Sequence, residues 1–453
     1  MSRLNTFVAP RPNRAMIAAM TGVNRIAMLG GVPVLRDLPV ANRVPPFRGL
    51  ANVRDIDFPA ADLARLKAVC GPGKATFLTP NHPEFFTDWM IDKEILSRVA
   101  PMAGAWATNS VVNGLGGLAQ RFWLANNLIA QIPGNSGAAK RHSVEWALQG
   151  HGVLLHPEGA VGWHANHVDR MMPGAAEMAF DALRRGRAAN PRQEVWLAPV
   201  VWKLAFQRDV EQELLRECAY VERRLRIGSP AAATLPERVF DIYRTVLRRD
   251  AERLDLGVPE AATFGRWHHG MLGRLCAMLG DRPADGAFDA EGVLRRARRE
   301  LRGLAKGSAE HRRLKDLSDC LAVSLRLAGS WAFSNETITQ EEIAEHIKRL
   351  RNDYCKGTLR DTLNAFVPQP AGPRTAHIRV PEPIAVHAHE GSEGRLMEEL
   401  RSRMQATIDD MLADPKINGR FVSYPNPFFQ RDEPGGSSLR DDAPFTYSPR
   451  AAE

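Results

Sequence analysis

Between residues 60 and 204 or so, short apolar runs alternate with stretches of helical period. The runs KATFLTPNH, NNLIAQIPGN, HGVLLHPEG and VWLAPVVWKL are bounded by Pro, Gly or Asn. Runs of this length closed by turn residues predict buried strands. Strands that alternate with helices predict an α/β layer built on a mostly parallel sheet flanked by helices. In DWMIDKEILSRV, Ile91, Ile95 and Val99 fall on one face of a helix. Polar and catalytic groups of such a sheet gather at the carboxyl ends of its strands.

After Leu204 the strand signals stop and long arginine-rich helical segments take over, among them VEQELLRECAYVERRLRI and ERVFDIYRTVLRRDAERL. The sequence Thr339 to Glu342, TQEE, is a capping box that opens the helix EEIAEHIKRL. PQPAGPRT then breaks the helical pattern. HIRVPEPIAV (377–386) reads as a strand and GRLMEELRSRMQATIDDML as an amphipathic helix. The expected organisation is an N-terminal segment (1–49), an α/β domain (50–204 and 372–413), a large all-α insertion (205–371) and a tail (414–453). The tail is rich in Pro, Gly, Ser and charge, which predicts poor order. In the N-terminal segment, RAMIAAMTGVNRIAMLGGVPVLR (Arg14 to Arg36) is apolar but broken by Asn24 and Arg25. It suits a helix lying in a membrane interface, or equally one packed on the protein's own surface.

Composition narrows the partners. The chain has 453 residues, 44% of them hydrophobic and 25% charged, with a formal net charge of +8. That excess favours anionic partners: lipid head groups, nucleic acid, or phosphorylated cofactors such as coenzyme A. The basic run LRRARRELRGLAK (294–306) reads as a solvated helix face, or as a surface that holds anionic lipid or covers a site. It has no interleaved aromatic residues, which argues against nucleic acid. Cys70, Cys218, Cys276, Cys320 and Cys355 are odd in number, widely spaced and without metal-ligand spacing, so a reducing, cytosolic compartment is expected. No run of about eighteen apolar residues is present, so no spanning helix is expected.

Two short stretches could carry chemistry. In TPNHPEFFTDWMIDKEIL (79–96), His82 follows a strand and Asp88 lies near a helix start. A neutral imidazole there could accept a proton from an attacking hydroxyl, with the carboxylate fixing its tautomer. Taken alone, the same residues also read as a turn histidine beside a helix cap. In HGVLLHPEGAVGW (151–163) a strand ends in Pro157, Glu158 and Gly159. That turn would aim a carboxylate and backbone N–H groups outward, toward a polar head group or a developing oxyanion, or would be a plain surface turn. His151, His156, His164 and His167 are dense nearby. HANH has the look of a metal pair, but no Cys, Asp or Glu stands at ligand spacing, so no metal is expected.

The order of these blocks resembles the glycerolipid acyltransferase family of lysophosphatidate acyltransferases. Its pattern is NHxxxxD, a strand with an arginine, FPEGTRS, a helix opening KxGxxxxA, and a strand VPVVPV. Here the counterparts are Asn81-His82 with Asp88, LIAQIPGN, HPEGAVGW, Met172-Pro173-Gly174-Ala175-Ala176, and Leu197-Ala198-Pro199-Val200-Val201. HIRVPEPIAV and its helix resemble the family's closing strand and helix, which would leave residues 205–371 as an insertion outside the usual pattern.

The resemblance implies transfer of a fatty acyl group from acyl-CoA or acyl carrier protein to a lipid hydroxyl, as in phospholipid biosynthesis, by a peripheral enzyme on the cytosolic face of a membrane. It implies His82 as general base, Asp88 as its partner, Asn81, Glu158 and Gly159 at the acceptor site, Pro199 near the acyl chain, and no cofactor beyond the donor. Three departures bear on this. Five residues separate His82 from Asp88 where the family has four, so Thr87 holds the usual aspartate place. Both family arginines, after the second strand and in PEGTRS, are missing, which counts against a phosphomonoester acceptor. Two alternatives follow: another lipid acceptor, with Lys140, Arg141 or Lys203 supplying charge, or a catalytically silent lipid-binding protein on the same fold.

Overall fold

The structure, a computed structural model, describes residues 6–29, 51–114, 116–132, 134–228, 230, 232–261, 263–281, 288–327, 335–364 and 371–429. In chain order the elements are α1 (Arg14–Val23), β1 (Val53–Asp57), α2 (Ala60–Val69), β2 (Lys74–Pro80), α3 (Thr87–Val99), β3 (Gly104–Thr108), α4 (Asn109–Asn113), α5 (Gly117–Ala125), β4 (Leu128–Gln131), α6 (Gly137–Leu148), β5 (Val153–Leu154), α7 (Gly174–Ala189) and β6 (Glu194–Phe206). There follow α8 (Glu211–Leu225), α9 (Leu235–Arg253), α10 (Phe264–Met278), α11 (Ala290–Leu301), α12 (Ala309–Leu327), β7 (Thr337–Thr339), α13 (Gln340–Tyr354), α14 (Leu359–Asn364), β8 (Arg374–Arg379), β9 (Ile384–Ala385), α15 (Glu393–Ala413) and β10 (Ser423–Pro425).

The chain forms two compact units. The first, Met1–Val210 with Thr362–Phe421, holds the expected α/β layer, and its eight-stranded sheet runs β1-β8-β6-β2-β5-β3-β4 with β9 beside β6. The pairings β6-β2, β2-β5, β5-β3, β3-β4 and β1-β8 are parallel. Both β8 and β9 run antiparallel to β6. β2 is buried along nearly its whole length, as a parallel strand covered on both faces must be. Period-two alternation divides the core. Ala75, Phe77, Val195, Leu197 and Val201 pack with α6, α7 and α15 on one face, while Leu78, Ala198, Val200 and Trp202 pack with α2 and α3 on the other.

The N-terminal residues join this unit. Ile17 of α1 is buried, Asn24 Nδ2 donates to Met90 O on α3, and Arg25 pairs with Glu94 at 2.8 Å. The opposite side exposes Met16, Val23 and Ile26. The helix is therefore packed on the protein's own surface and presents a separate apolar stripe. Residues 30–36 of the expected interfacial segment lie outside the described residues. No described helix is long and apolar enough to cross a membrane.

In the second unit, Glu211–Asp361 with the chain from Val422, the described elements are helices apart from the β7-β10 pair. Its α13 opens on the expected box: Thr339 N donates to Glu342 Oε2 at 2.7 Å and Glu342 N to Thr339 Oγ1 at 3.3 Å. In the basic run, Val293 and Ala297 of α11 are buried, while Arg295 pairs with Glu291 and Arg296 with Asp281. That is a solvated helix face.

The expectation of poor order from residue 414 is corrected for residues 414–429. β10 pairs with β7, and Phe428 is fully buried against His346, with ring centroids 4.9 Å apart. A polar composition did not reveal that one aromatic ring has a socket between helices. Residues 430–453 of that tail lie outside the described residues.

Candidate functional site

The site lies at the carboxyl end of β2. Asn81 continues the pairing of β2 with β6 past the last ladder pair, Pro80 with Val200. Its N–H donates to Val200 O at 3.1 Å. Its side-chain amide donates to Trp202 O at 3.0 Å and accepts from Trp202 N at 2.9 Å. Both amide groups are used in holding the strand end, so the expectation that Asn81 contacts substrate is corrected to an anchoring role.

The loop from His82 to Thr87 is pinned on three sides. His82 N donates to Glu158 Oε1 at 2.8 Å, and His82 O accepts from Gly162 N at 3.1 Å. Arg374 of β8 grips the Glu84 carboxylate with two nitrogens, at 2.6 and 3.0 Å, a bidentate geometry available to arginine alone. Thr87 Oγ1 donates to Glu84 Oε1 at 2.6 Å, and Phe86 takes the left-handed φ of 71° that caps α3.

This turn explains the extra residue. Thr87, in the family's aspartate place, faces Glu84. Asp88 at the second helical position faces the histidine, with Oδ2 2.7 Å from His82 Nδ1. The carboxylate approaches obliquely to the ring N–H and does not close a hydrogen bond of ordinary geometry. Catalytic contacts of this kind are often misaligned until substrate binds. Nε2 of His82 has no partner among the described residues. Burial, and then the neighbouring His156, hold the His82 ring below the usual histidine range. Burial pushes Asp88 up, but His82 and the Trp89 N–H outweigh it and hold the carboxylate low.

A second histidine–aspartate couple, not foreseen as such, lies against the first. The His156 ring stacks on His82 with centroids 4.0 Å apart and planes 19° apart. Its Nε2 is 2.9 Å from Asp92 Oδ2, and its Nδ1 is 3.0 Å from Asn81 O. Asp92 is one helical turn from Asp88, so α3 presents both carboxylates on one side. Burial works against a charge on His156, yet Asp92, Asp88 and Glu158 raise its pKa to about 9. Burial raises Asp92. Ligand atoms of His82, Asp88 and His156 come within 4.8 Å of one another. Both His156 nitrogens are already engaged and the two rings stack face to face, so they do not converge on a common open point. A hydrogen-bonded cluster fits these residues better than a metal centre.

The Pro-Glu-Gly turn differs from its expectation. Glu158 turns inward, not outward: it is buried, Oε1 holds His82 N, and Oε2 accepts from Asp169 N at 3.2 Å. Burial and Asp169 raise its pKa to about 7. Gly159 has a φ of 73°, which only glycine adopts without strain. Its N–H donates to His156 O at 3.1 Å, so that group is committed to the turn and is not an open oxyanion donor.

The remaining candidates are dispersed. Pro199 is buried in β6 opposite Thr79, in the interval between the β6 residues paired by β9 and those paired by β8, where a missing N–H costs no ladder bond on that flank. Lys203 is buried and donates to Asn166 Oδ1. Lys140 pairs with Glu177 at the start of α7, and Arg141 is exposed on α6. Neither contacts the histidine cluster. His164 lies 3.4 Å from Asp169, and burial together with His164 lowers His167 to about 4. Compared with known proteins, the sequence matches no family model and no curated protein.

Proposed function

We propose that this protein is an O-acyltransferase that moves a fatty acyl group from a thioester, on coenzyme A or acyl carrier protein, to the hydroxyl of a lipid or lysolipid. The observation that carries the reading is the 2.7 Å contact between His82 Nδ1 and Asp88 Oδ2, held despite the extra residue between them. His82 Nε2 takes the hydroxyl proton as the oxygen attacks the thioester carbonyl. The tetrahedral intermediate collapses, the C–S bond breaks, and the thiolate leaves with the proton His82 returns. Asp88 stabilises the imidazolium between those steps. No nucleophilic residue, metal or organic cofactor beyond the donor is required.

The acceptor is a lipid other than a simple phosphomonoester, since Lys140 is engaged with Glu177 and the stretches LIAQIPGN and HPEGAVGW lack the two arginines of the family pattern. The exposed Met16, Val23 and Ile26 on the N-terminal helix, together with the net charge of +8, suit peripheral attachment to an anionic membrane on its cytosolic face. Nucleic acid is not a partner in this reading.

Purified protein incubated with labelled acyl-CoA and extracted lipid is expected to yield labelled acyl lipid, and His82→Ala to abolish the product while circular dichroism is unchanged. Lipid binding that persists without any turnover, in wild type and variant alike, would instead support the silent lipid-binding protein.

A further inference from the structure

The second couple assigns a role that the acyl-transfer scheme alone does not require. Both ring nitrogens of His156 face acceptors: Nδ1 faces the Asn81 carbonyl, and Nε2 faces the Asp92 carboxylate. A carbonyl oxygen can only accept, so Nδ1 carries a hydrogen. An ionised carboxylate can also only accept, so Nε2 carries one as well. With Asp92 ionised the ring is an imidazolium, and it stacks on His82 with centroids 4.0 Å apart.

We propose that His156, clamped between Asn81 and Asp92, is a cationic positioning residue that keeps the stacked His82 ring unprotonated and aimed until substrate delivers its proton. The proposal rests on the reading of His82 as the base.

The groups facing the two rings come from every side. Asp88 and Asp92 project from α3, Glu158 lies on the turn after β5, and Asp169 and His164 lie beyond Glu158. Asp92 offsets the His156 charge at 2.9 Å, and Asp88 offsets the charge His82 gains during turnover. Two stacked rings cannot both be charged cheaply, because like charges at this separation disfavour the second ionisation. Burial and His156 lower His82, which fits. The chemical benefit is twofold. His82 is ready as a base at neutral pH, and once protonated beside a cation it is a stronger acid toward the departing thiolate. Asn81 O completes the device, since the anchor that fixes the strand end also fixes the ring.

The test is nitrogen-15 NMR of histidine-labelled protein, which needs no acyl substrate. At pH 7 the expected spectrum includes a histidine with both nitrogens protonated that is lost in His156→Phe, and another, lost in His82→Ala, that titrates below the usual histidine midpoint. In His156→Phe, which keeps a flat ring without charge, the His82 midpoint is expected to rise by about one pH unit, and the acid limb of the rate profile to move with it. Asp92→Asn is expected to shift His82 in the same direction as His156 loses its counter-charge and becomes neutral. A neutral His156 in wild-type protein, which needs no variant, would overturn the proposal. So would a folded His156→Phe with an unchanged His82 midpoint. Absence of acyl transfer with the NMR pattern intact would remove the function of the site and leave the electrostatic device standing.

Discussion

Asp88 lies six positions after His82, yet its carboxylate sits 2.7 Å from the imidazole while Thr87, one residue nearer, turns away to Glu84. The left-handed Phe86 absorbs the extra residue before α3 begins, so the first helical position points to the loop and the second to the histidine. Asp88→Asn is expected to lower kcat by about 10²–10⁴, the usual worth of a proton-transfer apparatus. Thr87→Ala is expected to keep kcat within a few fold and to cost about 1 kcal/mol of stability through the lost hydrogen bond. Steady-state kinetics on the two variants decides the matter, and the reverse ranking would show that Thr87 holds the functional place.

Asn81 gives a different signature from His82. Its side chain satisfies both the N–H and the carbonyl of buried Trp202. Asn81→Ala leaves those two backbone groups unpaired, for an expected loss of about 2–6 kcal/mol in chemical denaturation, on the basis of about 1–3 kcal/mol for each orphaned buried group. His82→Ala is expected to leave the denaturation midpoint nearly unchanged and abolish turnover. An Asn81→Ala protein of wild-type stability would contradict the anchoring role.

Glu158 should separate in the same manner from a residue that touches the acceptor. Its two oxygens accept from His82 N and Asp169 N, whereas a glutamine offers one acceptor and places a donor against the other N–H. Glu158→Gln is therefore expected to cost about 1–3 kcal/mol and to lower kcat by loosening the His82 main chain, with the acceptor KM little changed. A variant whose KM rises while kcat holds would restore Glu158 to the acceptor pocket.

What could be read in advance follows from the range of the interactions. The runs that became β2 and β6 are long and apolar because both sheet faces are covered, and the Thr339–Glu342 box is a purely local signal. β1 and β3 were not foreseen. VRDID alternates only weakly, and its partner β8 lies some 320 residues away, so nothing local marks it as a strand. GAWAT is a short run of small residues whose burial comes from β4 and β5 on either side. His82 with Asp88 was visible as a candidate because the two share one turn. In the sequence His156 is only one of several histidines, since its partners Asp92 and Asn81 are 64 and 75 positions distant. The signal that could have exposed it is the spacing of Asp88 and Asp92, two acids four apart on a helix otherwise committed to the core. The inward turn of Glu158 has no local signal, because nothing in a Pro-Glu-Gly turn reports that two backbone N–H groups from other loops need an acceptor there.

The His156–Asp92 couple also predicts how stability responds to pH. His156 titrates at about 9 in the folded protein against the ordinary 6.5, so the folded state holds more protons than the unfolded chain between those values. A group raised in this way contributes stability in full below pH 6.5 and loses it as pH rises toward 9. At 1.36 kcal/mol per unit the amount is on the order of 3 kcal/mol. The double substitution His156→Phe with Asp92→Asn removes both members of the couple, so neither is left charged without its partner, while Asp88 and Glu158 are common to both proteins. Its unfolding free energy, set beside that of the wild type at pH 6.5, 8 and 9 in urea, is expected to show a wild-type advantage that shrinks steadily with pH. A gap that stays constant across that range would mean the ring gains no proton on folding, and the acceptors at its two nitrogens would then have to be met by a proton carried on Asp92.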